Sequence, residues 1–599
     1  MRSPQATCRG ALIILLFLIL FAGCVPCAYS QTVNVGLAGS VKASDYGVRC
    51  NGTNDDTPGI QAAVNAVTIV AGGVESNPPY PTSTATVELP QGKCVIHSPI
   101  ILSNYGSLQG SGNGTWLVAT EPWTATPLDN AMVEIRQTWD RSLYHDQMTS
   151  SINRFVKNLN FVYAGHVHSI TAIKVFNQTG TTKSMPYPAE LSDPQHYQIP
   201  GVIIEGVAIY SMDTAIDLED CGQCVVQNSQ AFYVKDGVVD GANNYSLVVS
   251  NSSIAIGSRS YTATPGNTNG IFASSQVRWV CSGGKGPSCS GGTVTKGVIA
   301  SPQSLTVTNT TVEEFDIDAN IGNSLALELN NSNFDMGAFT SGVPNPTILL
   351  GEVNWTIISN CFIASSRTDS NPIELLPASH APTDAKNLDG TWIVDSWIQS
   401  YNPSTASGIR FNQGSYARRN VYVERVQFSH LTNGVSVLTP LTYSVFRDNY
   451  GFAMTGQLLY FDAPGAGSFQ STLLDGNTTA NSVNVVNVKS GTGLVMGYNQ
   501  SPTQFLGTQF VQAPGCSFAK GAIGNHCSAT VTFSAAGGHP MSSNSYKPIC
   551  TIQGTAVDGN VVLGAVTDLT PTSLTITEIA LSPATTGGGT INCSLTQDK

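Results

Sequence analysis

Six short segments of this chain share one phase: "IIEGVAI", "VVQNSQAF", "LVVSNSSI", "LTVTNTTV", "LELNNSNF" and "IISNCFI". In each, alternating apolar residues lead to an Asn or Gly, and an apolar residue returns three places later. Aligned on the turn residue, the phase marks Asn158, Gly206, Asn228, Asn251, Asn309, Asn331 and Asn360. The steps from 206 to 228, 228 to 251 and 309 to 331 are 22, 23 and 22 residues. "WIVDSWI" near Asp395 and "VYVERVQF" near Arg425 continue the pattern more weakly. Short strands with a turn residue at fixed phase predict a parallel β-solenoid, in which each coil stacks on the last. Asn tolerates the left-handed backbone that a sharp bend requires, and stacked Asn amides can hydrogen-bond from coil to coil.

The composition agrees. Only 11% of residues are charged, a poor supply of helix-forming Lys and Glu for 599 residues. The formal net charge of -12 argues against nucleic acid or an anionic membrane as the main partner. The solenoid is expected over residues 85–500. Its irregular steps, 158 to 206 and 251 to 309, hold insertions, the usual builders of binding clefts.

Upstream, "SDYGVRCNGTNDDTPGIQAAVNA" places Asp55 and Asp56 before an amphipathic run. Thr57 reads as an N-cap with Pro58 in the first turn, and Ile60, Ala63, Val64 and Val67 share one helical face. The acid pair is therefore assigned to helix initiation, and the helix to covering the open end of the solenoid within an N-terminal segment, 31–84. Before it, Arg2 and Arg9 precede the apolar run Ala11 to Ala22, the order of a secretory signal over residues 1–30. Cleavage is expected before Gln31, with a lipid anchor on Cys24 as the competing site. No later stretch is long and apolar enough to span a bilayer.

The stretch from 43 to 118, with "SDYG", the acid pair, "VELPQGKC" and "GSLQGSGNG", resembles the pectate-lyase superfamily domain also found in rhamnogalacturonases and phage tailspikes. The resemblance implies an all-β, right-handed single-stranded parallel β-helix, usually acting on or binding polysaccharide. It specifies fold better than reaction, since such a scaffold carries many chemistries. "GHVH" at 165–168 only half matches the polygalacturonase histidine motif, and neither R-x-K nor R-x-P-x-x-R is present.

Catalytic candidates therefore come from local constellations. "SMDTAIDLEDC" is the stretch that sequence reading singles out as acidic. If Ile216 and Leu218 point inward, Asp217 and Glu219 share the outer face, near the spacing an acid/base pair on a glycoside needs. One coil on, Asp236 is expected near Asp213, with Asp240 close by. Such crowding would raise one carboxyl's pKa and leave a proton donor. The same oxygens could bind Ca²⁺, although no cofactor is required. Being exposed, these acids should contribute little to stability. His166, His168, Trp397, Tyr401 and Arg418 are the candidate substrate contacts; Trp392, in a strand-like run, reads as core.

Past Gln31 there are eleven cysteines. Spacing pairs Cys281 with Cys289, Cys516 with Cys527 and Cys550 with Cys593; Cys50 with Cys94 and Cys221 with Cys224 follow, and Cys361 is left over. After about residue 506 the coil phase stops, and alternating strands between Gly, Pro and Ser read as a small β-sandwich, 506–599. The functional expectation is an exported protein, secreted, periplasmic or at the cell surface, that cleaves a plant or microbial polysaccharide, with uronate-containing polymers among the options, by hydrolysis or elimination. The alternative is a non-catalytic glycan-binding adhesin.

Overall fold

A computed structural model describes most residues between Ser40 and Gln597. Apart from shorter gaps, the stretches outside it are 1–39, 72–85, 139–153, 184–200, 256–268, 282–293, 338–343, 378–389, 515–525, 534–546, 554–560, 581–589 and 598–599. The expected leader and Cys24 thus lie outside the described residues.

Each coil carries three short strands. In one, Val202–Glu205 bends at Gly206 into Ala208–Tyr210, which bends at Ser211 towards Thr214–Leu218. The chain then returns as Gln223–Gln227, which pairs in parallel on Val202–Glu205 with Val202 opposite Cys224. Repetition gives three long parallel sheets. The first runs from Ser40–Lys42 to Leu494–Met496, the second from Asn51–Asp55 to Asn499–Gln500, and the third from Ile100–Ser103 to Val486–Ser490. This is a right-handed parallel β-helix. Ser40–Lys42 already pairs with Thr86–Glu88, so the helix begins upstream of the boundary expected at residue 85.

The bend between first and second sheets is where the sequence phase acts. Asn158, Gly206, Asn228, Asn251, Asn309, Asn331 and Asn360 all have φ between 47° and 62°. Asp395 and Arg425 continue the series, and the structure extends it to Asp448 and Gly476. A left-handed residue costs least as Gly or Asn. The Asn331 amide donates to Asn309 Oδ1 at 2.6 Å, and that of Asn309 to Asn251 Oδ1 at 3.2 Å. The next residue along points inward and is small and polar. The backbone N–H of Ser229 donates to Ser252 Oγ (3.2 Å), that of Thr310 to Ser332 Oγ (3.2 Å) and that of Cys361 to Ser396 Oγ (3.1 Å). Further along, Asn449, Asn477 and Asn499 take over. These amides find a partner one coil on, which avoids the cost of an orphaned buried donor.

Inward residues stack by column. Ile204, Val226, Val249, Val307, Leu329, Ile358, Ile393, Val423 and Phe446 follow one another through the core, essentially solvent-free. Each such side chain contributes roughly 1.5–3 kcal/mol of transfer free energy.

Helix α1, Thr57–Ala71, closes the first coil with Ile60, Ala63, Val64 and Val67 buried. Its N-cap is one residue earlier than expected: the Ile60 amide donates to the Asp56 carbonyl. The Asp56 carboxylate instead accepts the amides of Arg49 and Cys50, while Asp55 accepts the Thr57 hydroxyl. The acid pair is structural. Gln61 also donates to the Ile101 carbonyl and accepts its amide, acting as a substitute strand on the edge of the third sheet.

At the other end, Asn499–Gln500 pairs antiparallel with Phe505–Pro514, and two three-stranded antiparallel sheets follow. Val531, Phe533, Leu574 and Ile576 of one sheet share a core with Ile591 and Leu595 of the other, forming the small β-sandwich.

Disulfides join Cys50 to Cys94, Cys221 to Cys224 and Cys550 to Cys593. Cys527 is also disulfide-bonded, whereas Cys289 and Cys516 lie outside the described residues. Cys361 is free and buried: it occupies a serine position in the corner series.

Candidate active site

Two acidic groups stand on the outside of the β-helix. On the third sheet, Ile216 and Leu218 point inward and Asp217 and Glu219 outward. Lys174, from the preceding coil and directly opposite Asp217, sits between the two carboxylates: Nζ contacts Asp217 Oδ2 and lies 2.8 Å from Glu219 Oε1. Lys174 is only 4% exposed. One coil earlier, Glu134 faces Lys174 in the register and pairs with Arg136, whose guanidinium lies 5.4 Å from the Phe176 ring centroid. The repulsion expected between Asp217 and Glu219 is thus relieved by the ammonium between them. The expectation that these acids matter little to stability also fails, because a nearly buried lysine depends on them. Asp236 does not join the pair. It lies opposite Thr214, donates its amide to the Asp213 carbonyl and pairs with Lys235 (3.4 Å). Asp240 faces the interior, opposite Leu218 and fully buried.

The second group lies at the corner between second and third sheets and was missed by sequence reading. Glu313 and Asp335 are register partners on adjacent strands of the second sheet, both pointing outward. Glu314 follows in the left-handed region (φ 66°), where a non-glycine residue stores strain. Burial and the charges of Glu314 and Asp335 hold the Glu313 carboxyl above the usual range. Tyr401, two coils on, donates its hydroxyl to both Asp335 oxygens at 2.6 and 2.7 Å. Behind them Asp318 is fully buried, with Oδ2 unpartnered, and desolvation holds its carboxyl well above normal. The corner thus raises the proton affinity of Glu313 and Asp318, and a carboxyl so raised is a candidate proton donor. The signal was present: "VEEFDID" carries four acids in seven residues, denser than the four in eleven of the stretch preferred from sequence.

Aromatic side chains flank this corner on the same outer face. Trp116, Tyr210 and Phe232 stack along the coils before Glu313. After Asp335 come Trp397 (48% exposed), packed edge-on against Phe362, then Tyr450 (40%) and Phe452 (52%). Of the other sequence candidates, His166 and His168 lie outside the described residues. Arg418 is buried and donates to the Leu376 carbonyl, so its guanidinium does not face a surface ligand. Trp392 is not core: it projects from the first sheet between Trp355 (4.5 Å) and Tyr422 (5.5 Å). Among the described residues, the one trio of ligand-type side chains close enough for a metal is Cys50, Asp56 and Cys94, and its cysteines are bonded to each other.

These coils, with their outward acids and aromatics, define a parallel β-helix protein of the kind that presents side chains along extended sheet faces. Residues 40–294 match the family described as rhamnogalacturonase A/epimerase, pectate lyase-like. The chain is a parallel β-helix protein, and its matched segment is similar to that family. No curated protein sequence matches it. Among solved structures it is similar to the Pseudomonas phage phi297 tailspike gp61 (11% identity, TM-score 0.38, 94% of this chain and 100% of that one). It is also similar to a tailspike from Acinetobacter baumannii bacteriophage Fri1, described as a capsular polysaccharide depolymerase (10%, 0.32, 94% and 87%). A third is PfbA, a surface adhesin of Streptococcus pneumoniae (10%, 0.29, 76% and 93%).

Proposed function

We propose that the protein is an exported glycoside hydrolase that cleaves a polysaccharide laid along the outer face of the second sheet. Glu313, whose carboxyl is held above the usual range, gives its proton to the leaving glycosidic oxygen. Asp335 attacks the anomeric carbon as that bond breaks, water then releases the sugar, and Tyr401 positions Asp335. The observation that carries this reading is the direct register of Glu313 and Asp335. Adjacent strands lie roughly 4.8 Å apart, close to the 5–5.5 Å separation of retaining glycosidases. Elimination is the weaker chemistry here, because among the described residues no cation stands beside the pair to neutralise a uronate. Several disulfides support export to an oxidising compartment.

A second reading keeps the chemistry on Asp217 and Glu219, with Asp213 and Asp236 nearby. What favours it is the long connections that leave third-sheet strands, from Thr179 to Val202 and from Ala273 to Ser304. The test is a polysaccharide panel read for both reducing ends and the absorbance of unsaturated uronates. New reducing ends without that absorbance support hydrolysis. Binding without cleavage of any polymer makes the protein an adhesin.

A further inference from the structure

The charges on the second-sheet face select the class of glycan that can lie there. From Trp116 to Thr478, the two outward columns of that sheet carry aromatic, amide, hydroxyl and small aliphatic side chains. Apart from tyrosines, their ionisable members among the described residues are Glu313 and Asp335, both acids; the cation Lys93 stands one coil before Trp116, towards the end of the sheet. Glu314 adds a third acid at the corner, and Asp318 lies buried behind it. The cations of the bordering turns are already committed: Lys235 to Asp236, Arg367 to Asp369 and Arg425 to Asp395.

A polyuronate brings a carboxylate on every sugar. Laid along this face it would set those charges against these acids, with the described cations of the bordering turns already paired, within the range over which salt does not screen. A neutral glycan meets no such barrier. Its sugar faces are apolar patches that stack on exposed aromatic rings, and its hydroxyls suit the amides and hydroxyls between them. The aromatics are spaced for an extended chain. Trp397 stands two coils beyond Asp335, and Tyr450 and Phe452 two coils further, roughly 10 and 20 Å at the strand spacing. We infer that the substrate is an uncharged polysaccharide, bound along the helix axis over Phe232, the Glu313–Asp335 corner, Trp397 and Phe452, and that polyuronates are excluded. The inference deepens the proposed function and rests on its placing of the site at this corner.

The test measures binding without requiring turnover. The full chain is run through native gels cast with galactan, arabinan, xyloglucan or mixed-linkage β-glucan, and through gels cast with polygalacturonate or alginate, at low salt. At least one neutral polymer should retard it, and neither polyuronate should. Trp397→Ala and Phe452→Ala should each weaken the neutral interaction about tenfold. Glu313→Gln/Glu314→Gln/Asp335→Asn should gain retardation by polygalacturonate. Retardation of the wild type by a polyuronate, or by no neutral polymer, overturns the inference. A protein held by a neutral polymer through Trp397 that releases no reducing ends refutes the hydrolase reading and leaves this one standing.

Discussion

Glu313 and Asp335 stand directly opposite each other on adjacent parallel strands, one carboxyl held high by burial and like charge, the other accepting both contacts of the Tyr401 hydroxyl. Glu314 is one cause of the raised Glu313 carboxyl and takes no part in the proposed chemistry. Activity should fall as pH rises through the Glu313 titration, because the acid must be protonated to donate. Glu314→Gln removes one of the charges that raise it. The alkaline limb of the rate profile should then move down by roughly half a unit. An unmoved limb, or one displaced upward, would separate Glu313 from the acid role.

Asp240 links stability to pH. It is fully buried opposite Leu218, accepts the Asn244 amide, and desolvation raises its pKa to about 7. In the unfolded chain it ionises near 4, so its stabilising effect is complete below that pH and is lost as pH rises towards 7. By linkage the loss amounts to about 4 kcal/mol. Asp240→Asn keeps an oxygen for Asn244 and cannot ionise. Urea unfolding at pH 5 and pH 8 should show the wild type weakening and the variant nearly flat between the two. Parallel curves would contradict the assignment.

Asn331 combines a left-handed backbone, φ 47°, with an amide that donates to Asn309. Asn331→Ala loses both and should cost about 1–2 kcal/mol, whereas Asn331→Gly keeps the backbone freedom and should recover part of it. Thermal or urea melts of the two variants check the order; alanine at least as stable as glycine would show that the bend is not strained.

Cys361 is buried, and burial pushes its thiol up to about 11. It should resist alkylation at pH 8 until the protein unfolds. Since serines occupy the equivalent corner position as Ser332 and Ser396, Cys361→Ser should change stability by less than about 1 kcal/mol. Rapid native alkylation would place the thiol elsewhere.

The corner residues were legible because local chemistry decides them. An Asn that must enter the left-handed region declares itself at every coil, so fold and phase could be read from residues such as Asn228 and Asn331 alone. Site residues depend on neighbours distant in sequence. Lys174 reaches Asp217 and Glu219 across more than forty positions and changes what that pair can do. Tyr401 meets Asp335 across sixty-six. Arg418 looked available because its neighbours are polar, but folding turns it onto the Leu376 carbonyl. Acid density favours "VEEFDID" over "SMDTAIDLEDC", but only the fold shows the lysine that sits between Asp217 and Glu219.

The most direct test of the account is the turnover of four variants on whichever polysaccharide the panel shows to be cleaved, with folding checked by melting. Glu313→Gln and Asp335→Asn should each lose roughly 10²- to 10⁴-fold in rate, about 3–5 kcal/mol of barrier, while melting close to the wild type. Asp217→Asn and Glu219→Gln should melt earlier, because Lys174 loses a partner, and should keep turnover within about tenfold below their melting range. The reverse pattern, full activity in Glu313→Gln and Asp335→Asn with activity abolished in folded Asp217→Asn, would move the chemistry to the third sheet and contradict the account.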